Sequence, residues 1–381
     1  MLKIKPIVFL LLFLLIVPLH AFAENGFEVS AGVAVLMEAS TGQVLYAKNA
    51  EQPLPPASIT KLMTLLLAFE ALENGQVSWE ETVIVSEKAW RMGGSEMFLE
   101  LGQEVTFSDL ITGISVVSAN DGCIAVAEHL LGSEEAFVQR MNQRATELGM
   151  TRTTFKNSNG IPAPEHQMSA RDIAVLSQHL IKNHPRILEL ETQREFTFNN
   201  IRQFNRNPLL GTFPGADGLK TGWTDEAGFC LVGTAEQDGI RMISVVLNTV
   251  SDEERLTASQ ELLSHGFRDY QLTTALKPGD VPGEVQVKDG KKTSVNLTVQ
   301  ESVTVVVPTG REGDLELVVL SPVALEAPVA AGTPAATLDV RLDGETLTSS
   351  ELVTTDEVKR ANIFVRFFRA IGRLLRGLFS R

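Results

Sequence analysis

The chain has 381 residues, 44% hydrophobic and 21% charged, ordinary values for a globular protein that exclude long disorder, collagen-like repeats and a polytopic membrane protein. Its 47 acidic against 33 basic side chains leave a net charge of −14, without the clustered positive charge that nucleic acid requires. Two cysteines exclude a disulfide scaffold and a cysteine-rich zinc module, and the length suggests two domains or three at about 150 residues each.

The first 23 residues read as a secretory signal peptide. Lys3 and Lys5 give a positive start, Ile7 to Val17 is an unbroken apolar run, and Ala21-Phe22-Ala23 is a small-x-small cleavage site. The apolar run is about half the ~20 residues needed to cross a bilayer. Export into an oxidising compartment is the expectation.

From 24 to 274 helical and strand patterns mix. Val33 to Met37 and Gln43 to Tyr46 form an expected hairpin through Ser40-Thr41-Gly42. Leu62 to Leu72, stopped by Asn74-Gly75, is a helix hydrophobic almost all round and therefore buried. Helices are expected at Asp109–Leu131, Ser133–Leu148, Ala170–Lys182 and Asp252–Phe267, with adjacent strands at Phe229–Thr234 and Arg241–Leu247. That is an α/β body around an antiparallel sheet. Past Lys277-Pro278-Gly279-Asp280, β-branched runs at Ser294–Val299, Val303–Val307 and Leu315–Leu320 alternate with turns, giving an all-β domain over 275–356.

Residues 357–381 carry seven basic side chains and one acid, whereas 24–356 have a net charge of −22. Phe364, Phe367, Phe368, Ile371, Leu374, Leu375 and Leu378 fall on one helical face, with Arg366, Arg369, Arg373 and Arg376 opposite. The expected partner is an anionic lipid surface, phenylalanines among acyl chains and arginines on headgroups. An exported chain so anchored would sit on the periplasmic face of the inner membrane.

Catalytic chemistry is sought in the α/β body. After Pro55-Pro56, Ser58 and Lys61 are spaced i, i+3 at a helix start, which brings an amine within reach of a hydroxyl it can deprotonate. The helix N-terminus adds free N–H groups for a developing oxyanion. Ser118-Ala119-Asn120 lies 60 residues after Ser58 and Lys220-Thr221-Gly222 102 residues after Ser118.

Ser-x-x-Lys, Ser-x-Asn and Lys-Thr-Gly in this order resemble the signature of penicillin-binding proteins and serine β-lactamases. Asp217–Gly222 with Thr224–Val232, Phe155–Gly160 and Met168–Ala174 narrow the resemblance to the low-molecular-mass D-alanyl-D-alanine carboxypeptidases, over essentially the whole mature chain. It implies a penicillin-binding transpeptidase fold at 24–274, a small all-β domain and an amphipathic anchor. It also implies removal of the terminal D-alanine from peptidoglycan pentapeptide stems, with β-lactams as covalent inhibitors and no cofactor. In that scheme Ser58 is the nucleophile and Lys61 its base. Ser118 relays a proton, Asn120 orients Lys61, and Lys220 with Thr221 holds the substrate carboxylate. Gly222 lets the strand edge approach the peptide, and Trp223 joins Ser58 in a backbone oxyanion hole. Many members carry histidine where this chain has Trp223, so any side-chain contribution there differs.

Three other readings share parts of the pattern. A class A β-lactamase normally shows Ser-Asp-Asn in place of Ser118-Ala119-Asn120, and needs neither a second domain nor an anchor. A peptidoglycan endopeptidase shares the nucleophile. A silent membrane-bound scaffold would not need all three motifs intact. Arg206 and Arg255 are candidates either for the substrate carboxylate or for salt bridges. Glu165 and His166 read as surface residues. Six scattered histidines without ligand spacing argue against a metal, and Cys123 and Cys230 read as buried free thiols.

Overall fold

A computed structural model of the chain describes residues 26–321, 324–369 and 371, so the expected signal peptide lies outside the described residues. In the first body, strands Val44–Lys48, Val33–Glu38, Ile240–Thr249 and Gly228–Gln237 run side by side and antiparallel. Ala216–Gly218 and Thr221–Thr224 both pair with the far edge of Gly228–Gln237. Every residue of Val33–Glu38 is buried, because the sheet is covered on both faces. Alternation along the strand divides its side chains between two cores. Val33, Val35 and Met37 join the core of Leu62, Leu65 and Leu66 from helix Lys61–Glu73 and Ile173 and Leu176 from helix Ala170–Asn183. Ala34 and Leu36 face Ala258, Leu262 and Leu263 of helix Asp252–Asp269.

The α/β body with an antiparallel sheet is as the sequence pattern predicts, and helix Lys61–Glu73 is buried on almost every side. One expected helix is two. The periodicity of Asp109–Leu131 is interrupted, giving helices Phe107–Val116 and Asn120–Leu131 with Ser118 at φ +63° between them. The apolar pattern runs unbroken through the break because both helices bury their residues in the same core.

Beyond helix Asp252–Asp269 a second core gathers Val285, Val295, Leu297, Val305, Leu338, Val340 and Leu352. It lies between a mixed sheet, ordered Glu316–Leu320, Pro334–Leu342, Glu345–Thr354, Ser294–Thr298, Gly283–Lys288, Leu325–Glu326, and the pair Tyr270–Leu276 with Val303–Pro308. The two bodies are joined by more than the chain. Gln43 in the hairpin accepts from the N–H of Val306 (2.6 Å) and donates to its carbonyl (3.1 Å), and Val306 is packed in the core beneath helix Asp252–Asp269. A helix at residues 363–369 closes the description. Its Arg366 pairs with Asp289 (2.9 Å) and Arg369 donates to the Gly290 carbonyl (2.7 Å), which differs from the expectation that both face headgroups. Arg373, Arg376, Leu374, Leu375 and Leu378 lie outside the described residues.

Candidate active site

The prolines at 55 and 56 do not lead directly into the long helix. Ser58 sits in a tight 3-10 turn, Ala57–Thr60, and Lys61 begins helix Lys61–Glu73. The spacing still brings the two side chains together: the Lys61 amine is 2.9 Å from the Ser58 hydroxyl oxygen. Its other two contacts are carbonyl oxygens, Asn120 Oδ1 at 2.7 Å and the Asn159 backbone oxygen at 2.6 Å. In a neutral amine those two acceptors take both hydrogens and leave the lone pair to the serine O–H. Burial disfavours the ammonium, and Lys220 and Arg206 push the same way, bringing the Lys61 pKa down to about 7.

The turn is buttressed from behind. Gly160, at φ +89°, packs so closely that a Cβ would stand 1.9 Å from the Ala57 carbonyl oxygen. His166 is buried, contrary to its reading as a surface residue. The backbone N–H of Lys156 donates to its Nδ1 (3.1 Å), so its Nε2–H faces the Thr60 hydroxyl (2.8 Å). Burial first, and then Lys156, hold its pKa down at about 4, so the ring is a neutral prop rather than a proton donor. Glu165 is exposed and pairs with Lys156.

Ser118 and Asn120 arrive from the break between helices. Asn120 donates to the Gly93 carbonyl (2.8 Å), which fixes its amide so that oxygen faces Lys61. Ser118 is buried and its hydroxyl has no hydrogen-bond partner among the described residues. A strained non-glycine residue carrying an orphan hydroxyl costs roughly 1–3 kcal/mol, which marks the position as functional. Asp121, not singled out from the sequence, accepts from the N–H groups of Met97 (3.1 Å), Leu99 (3.1 Å) and Gly122 (2.9 Å) and pins the opposite wall.

The third motif forms the floor and far wall. Thr221–Thr224 pairs only on one side among the described residues, leaving its other edge toward Ser58. Gly222 is needed for a different approach from the one expected: a Cβ there would meet the Pro56 carbonyl oxygen at 3.0 Å and the Ala57 Cβ at 3.2 Å, so it admits the nucleophile turn. Lys220 is buried, its amine 3.5 Å from the Thr221 carbonyl. Trp223 is 55% exposed, its ring 5.9 Å from that of Phe229. Between these walls lies a cavity of about 530 Å³ lined by Ser58, Ser118, Asn120, Thr221, Gly222 and Trp223, with Arg206 and Arg255 at its edge. Arg206 donates to the Ser95 hydroxyl (2.8 Å). Arg255 pairs with Asp252 and donates to the carbonyls of Gly222 (3.2 Å) and Cys230 (3.1 Å). The salt-bridge reading of Arg255 thus holds: it pairs with Asp252 and anchors the strand, while also lining the cavity.

Six of the eight expected site residues line this cavity; Lys61 is buried against Ser58 and Asn120, and Lys220 is buried with its amine 3.5 Å from the Thr221 carbonyl. What sequence reasoning missed is mostly main chain: the Asn159 and Gly93 carbonyls have no residue-type signature, although Phe155–Gly160 was part of the family resemblance. Cys123 and Cys230 are both buried and unbridged. Among the described residues the grouping near enough to ligate an ion is Glu70, His179 and His184, away from this cavity; the Arg144 guanidinium already occupies Glu70 (2.7 Å) and His179 (3.0 Å).

The cavity thus holds a serine with a buried, deprotonatable lysine, an unsatisfied hydroxyl and a cationic wall, a set suited to acyl transfer on an anionic substrate. Comparison with known proteins agrees. Residues 20–251 match the family model "Peptidase_S11: D-alanyl-D-alanine carboxypeptidase", and residues 270–360 match "Penicillin-binding protein 5, C-terminal domain". The chain is 38% identical over 347 residues to the D-alanyl-D-alanine carboxypeptidase DacC of Escherichia coli (strain K12), covering 89% of this chain and 87% of that one. It superposes on penicillin-binding protein 5 of Haemophilus influenzae with a TM-score of 0.81 at 34% identity, over 87% of this chain and 98% of that one. Penicillin-binding protein D2 of Listeria monocytogenes, solved in its ampicillin-bound form, matches with a TM-score of 0.58 at 34% identity, over 63% of this chain and 98% of that one. With a matching model over more than half its length and this relative along nearly all of it, the chain belongs to the Peptidase S11 family of serine D-alanyl-D-alanine carboxypeptidases.

Proposed function

We propose that the enzyme removes the terminal D-alanine from peptidoglycan pentapeptide stems and is acylated by β-lactams at the same serine. The observation that carries the reading is the 2.9 Å contact between Ser58 and a fully buried Lys61 whose two other neighbours are fixed carbonyl acceptors. Ser58 Oγ attacks the carbonyl carbon of the penultimate D-alanine while Lys61 takes its proton. The backbone N–H groups of Ser58 and Trp223 receive the oxyanion. The C–N bond breaks as the proton taken up by Lys61 is relayed through Ser118 to the leaving amine of the last D-alanine, whose carboxylate is held by Lys220 and Thr221, with Arg206 and Arg255 nearby. Water then hydrolyses the ester on Ser58. A β-lactam offers the same carbonyl and carboxylate, in keeping with the ampicillin-bound relative.

The test is release of free D-alanine from a pentapeptide ending in D-Ala-D-Ala, together with labelling by penicillin, beside Ser58→Ala. D-alanine release and a stable adduct, both lost in the variant, are expected. Rapid penicillin hydrolysis would make the protein a β-lactamase, and silence in both assays would leave a scaffold.

We further propose export and residence on the periplasmic face of the inner membrane. The signal-like first 23 residues support this reading. So do the exposed Ile363, Phe364, Phe367 and Phe368. No helix among the described residues is long and apolar enough to cross a membrane. Unchanged membrane fractionation after removal of residues 357–381 would sink the proposal.

A further inference from the structure

A second cavity, of about 340 Å³, adjoins the first and shares Gly160, Ile161, Pro162 and Thr224 with it. Pro55, Pro56, Ala163 and Pro164 add to its walls, together with the buried His166 and the exposed Glu226. The strand Thr221–Thr224 says which part of a substrate reaches it. With the terminal carboxylate at Thr221 and the oxyanion at the Trp223 N–H, a peptide laid extended on the free edge advances by about 3.3 Å per residue. The residue before the penultimate D-alanine therefore lies beyond Thr224, level with the second cavity. In a peptidoglycan stem that residue is a diamino acid, and its side-chain amine is a cation until a cross-link acylates it.

The turn that carries Glu226 is held in place. Thr224 pairs with Gly228, and its hydroxyl accepts from the Ala227 N–H (3.1 Å). Ala227 is buried, and Gly228, at φ +66°, packs so that a Cβ would stand 2.8 Å from the Thr249 carbonyl oxygen. Glu226 is thus set on a fixed backbone, and among the described residues neither a hydrogen bond nor an ion pair engages its carboxylate. No cation lines the cavity beside it. His166 is neutral, its pKa held at about 4 by burial first and then by Lys156, and Lys156 pairs with Glu165 (3.0 Å). A lone carboxylate beside prolines and alanines, which exclude water, attracts an ammonium more strongly than one on open surface.

We propose that this cavity is the subsite for the diamino side chain of the stem, with Glu226 the specificity-determining residue that pairs with its free ammonium. The inference rests on the reading of Lys220 and Thr221 as the carboxylate site, since that fixes which end of the peptide reaches the cavity. The walls of proline and alanine take the methylenes of the side chain, and the carboxylate takes the charge at its end. An acylated amine carries no charge, so Glu226 gives nothing to a stem already joined through that position. The enzyme thereby trims stems with a free amine ahead of those cross-linked through it.

The experiment compares Nα-acetyl-L-Lys-D-Ala-D-Ala, its Nε-acetylated form, and Nα-acetyl-D-Ala-D-Ala, which ends before the cavity. In wild type, kcat/KM for the free-amine peptide is expected to exceed that for the Nε-acetylated one by about three- to fivefold, the range of a partly exposed ion pair. In Glu226→Gln the preference disappears. Ala163→Phe, which fills the cavity, lowers kcat/KM for both lysine peptides relative to the dipeptide. No preference in wild type, or the same preference in Glu226→Gln, overturns the proposal. So does a loss in Ala163→Phe that is equal for all three peptides. NMR titration of isotope-labelled Ser58→Ala reads the cavity without turnover. Resonances of Ile161 and Ala163 are expected to shift more with the free-amine peptide than with the Nε-acetylated one, and adding Glu226→Gln removes the difference. If wild type neither releases D-alanine nor reacts with penicillin, the functional reading fails by itself. The titration still decides the subsite, since equal shifts from the two lysine peptides overturn it.

Discussion

At the scale of single residues the site is a problem of protonation. The Lys61 pKa lies at about 7, well below that of an ordinary lysine, because burial removes the water that would solvate its ammonium, with Lys220 and Arg206 adding repulsion. The sign for activity follows: below about pH 7 the amine carries a proton and cannot take one from Ser58, and above it the base is free. The second-order rate of acylation by penicillin is expected to rise through pH 7 with a single ionisation, and Lys61→Arg, which keeps charge but cannot deprotonate, to lower it by about 10²–10⁴-fold at every pH. An acylation rate flat from pH 5.5 to 8.5 would refute the assignment. The sequence made Ser58, Lys61, Ser118 and Asn120 legible because their chemistry belongs to side-chain types at fixed spacing. It left Asn159 illegible because the acceptor there is a backbone carbonyl, which any residue owns. His166 was misread as surface because burial of a polar ring depends on Thr60 and the Lys156 amide, which only the fold brings to it.

At the scale of elements, the geometry depends on two places where the chain leaves regular structure. The break at Ser118 lies in an apolar pattern that reads as one helix, since both helices face the same core; periodicity reports which face is buried, not where the backbone turns. The segment ending at Gly160 entered the family resemblance, but its consequence was not legible, because the close approach is to Ala57, more than a hundred positions away in sequence. Gly160→Ala has to relieve a 1.9 Å overlap as well as a left-handed backbone, and the Asn159 carbonyl has to move with it. A stability loss of roughly 2–4 kcal/mol and a marked drop in penicillin acylation are expected. Gly75→Ala is the control: the same backbone region, φ +68°, but open space around the added methyl, so about 1 kcal/mol and unchanged acylation. Equal losses of thermal stability in the two variants would show that the contact with Ala57 is not what Gly160 provides.

At the scale of the whole molecule, the division into an α/β body and an all-β domain was written in composition, but the way they join was not. The paired hydrogen bonds from Gln43 to Val306 span 263 positions and involve a polar side chain that nothing in the sequence marks. The tail shows the same limit. Its two-faced pattern was legible, and the expectation put every arginine on headgroups, yet Arg366 and Arg369 are held by Asp289 and Gly290. That changes which force should dominate attachment. With two arginines committed to the β domain, the proposed membrane attachment rests on Phe364, Phe367 and Phe368, each more than 60% exposed, as its inserting groups. At about 1.5–3 kcal/mol per buried side chain, replacing all three by serine is expected to weaken binding to phosphatidylglycerol vesicles by at least a hundredfold. Raising salt from about 0.1 to 0.5 M should weaken the wild type far less, because screening acts only on the arginines still free for headgroups. D-alanine release from a soluble peptide should not change in the triple variant, since Ser58 lies in the other body. Vesicle sedimentation that survives the three substitutions but collapses in salt would instead make the attachment electrostatic, carried by the basic residues of 357–381.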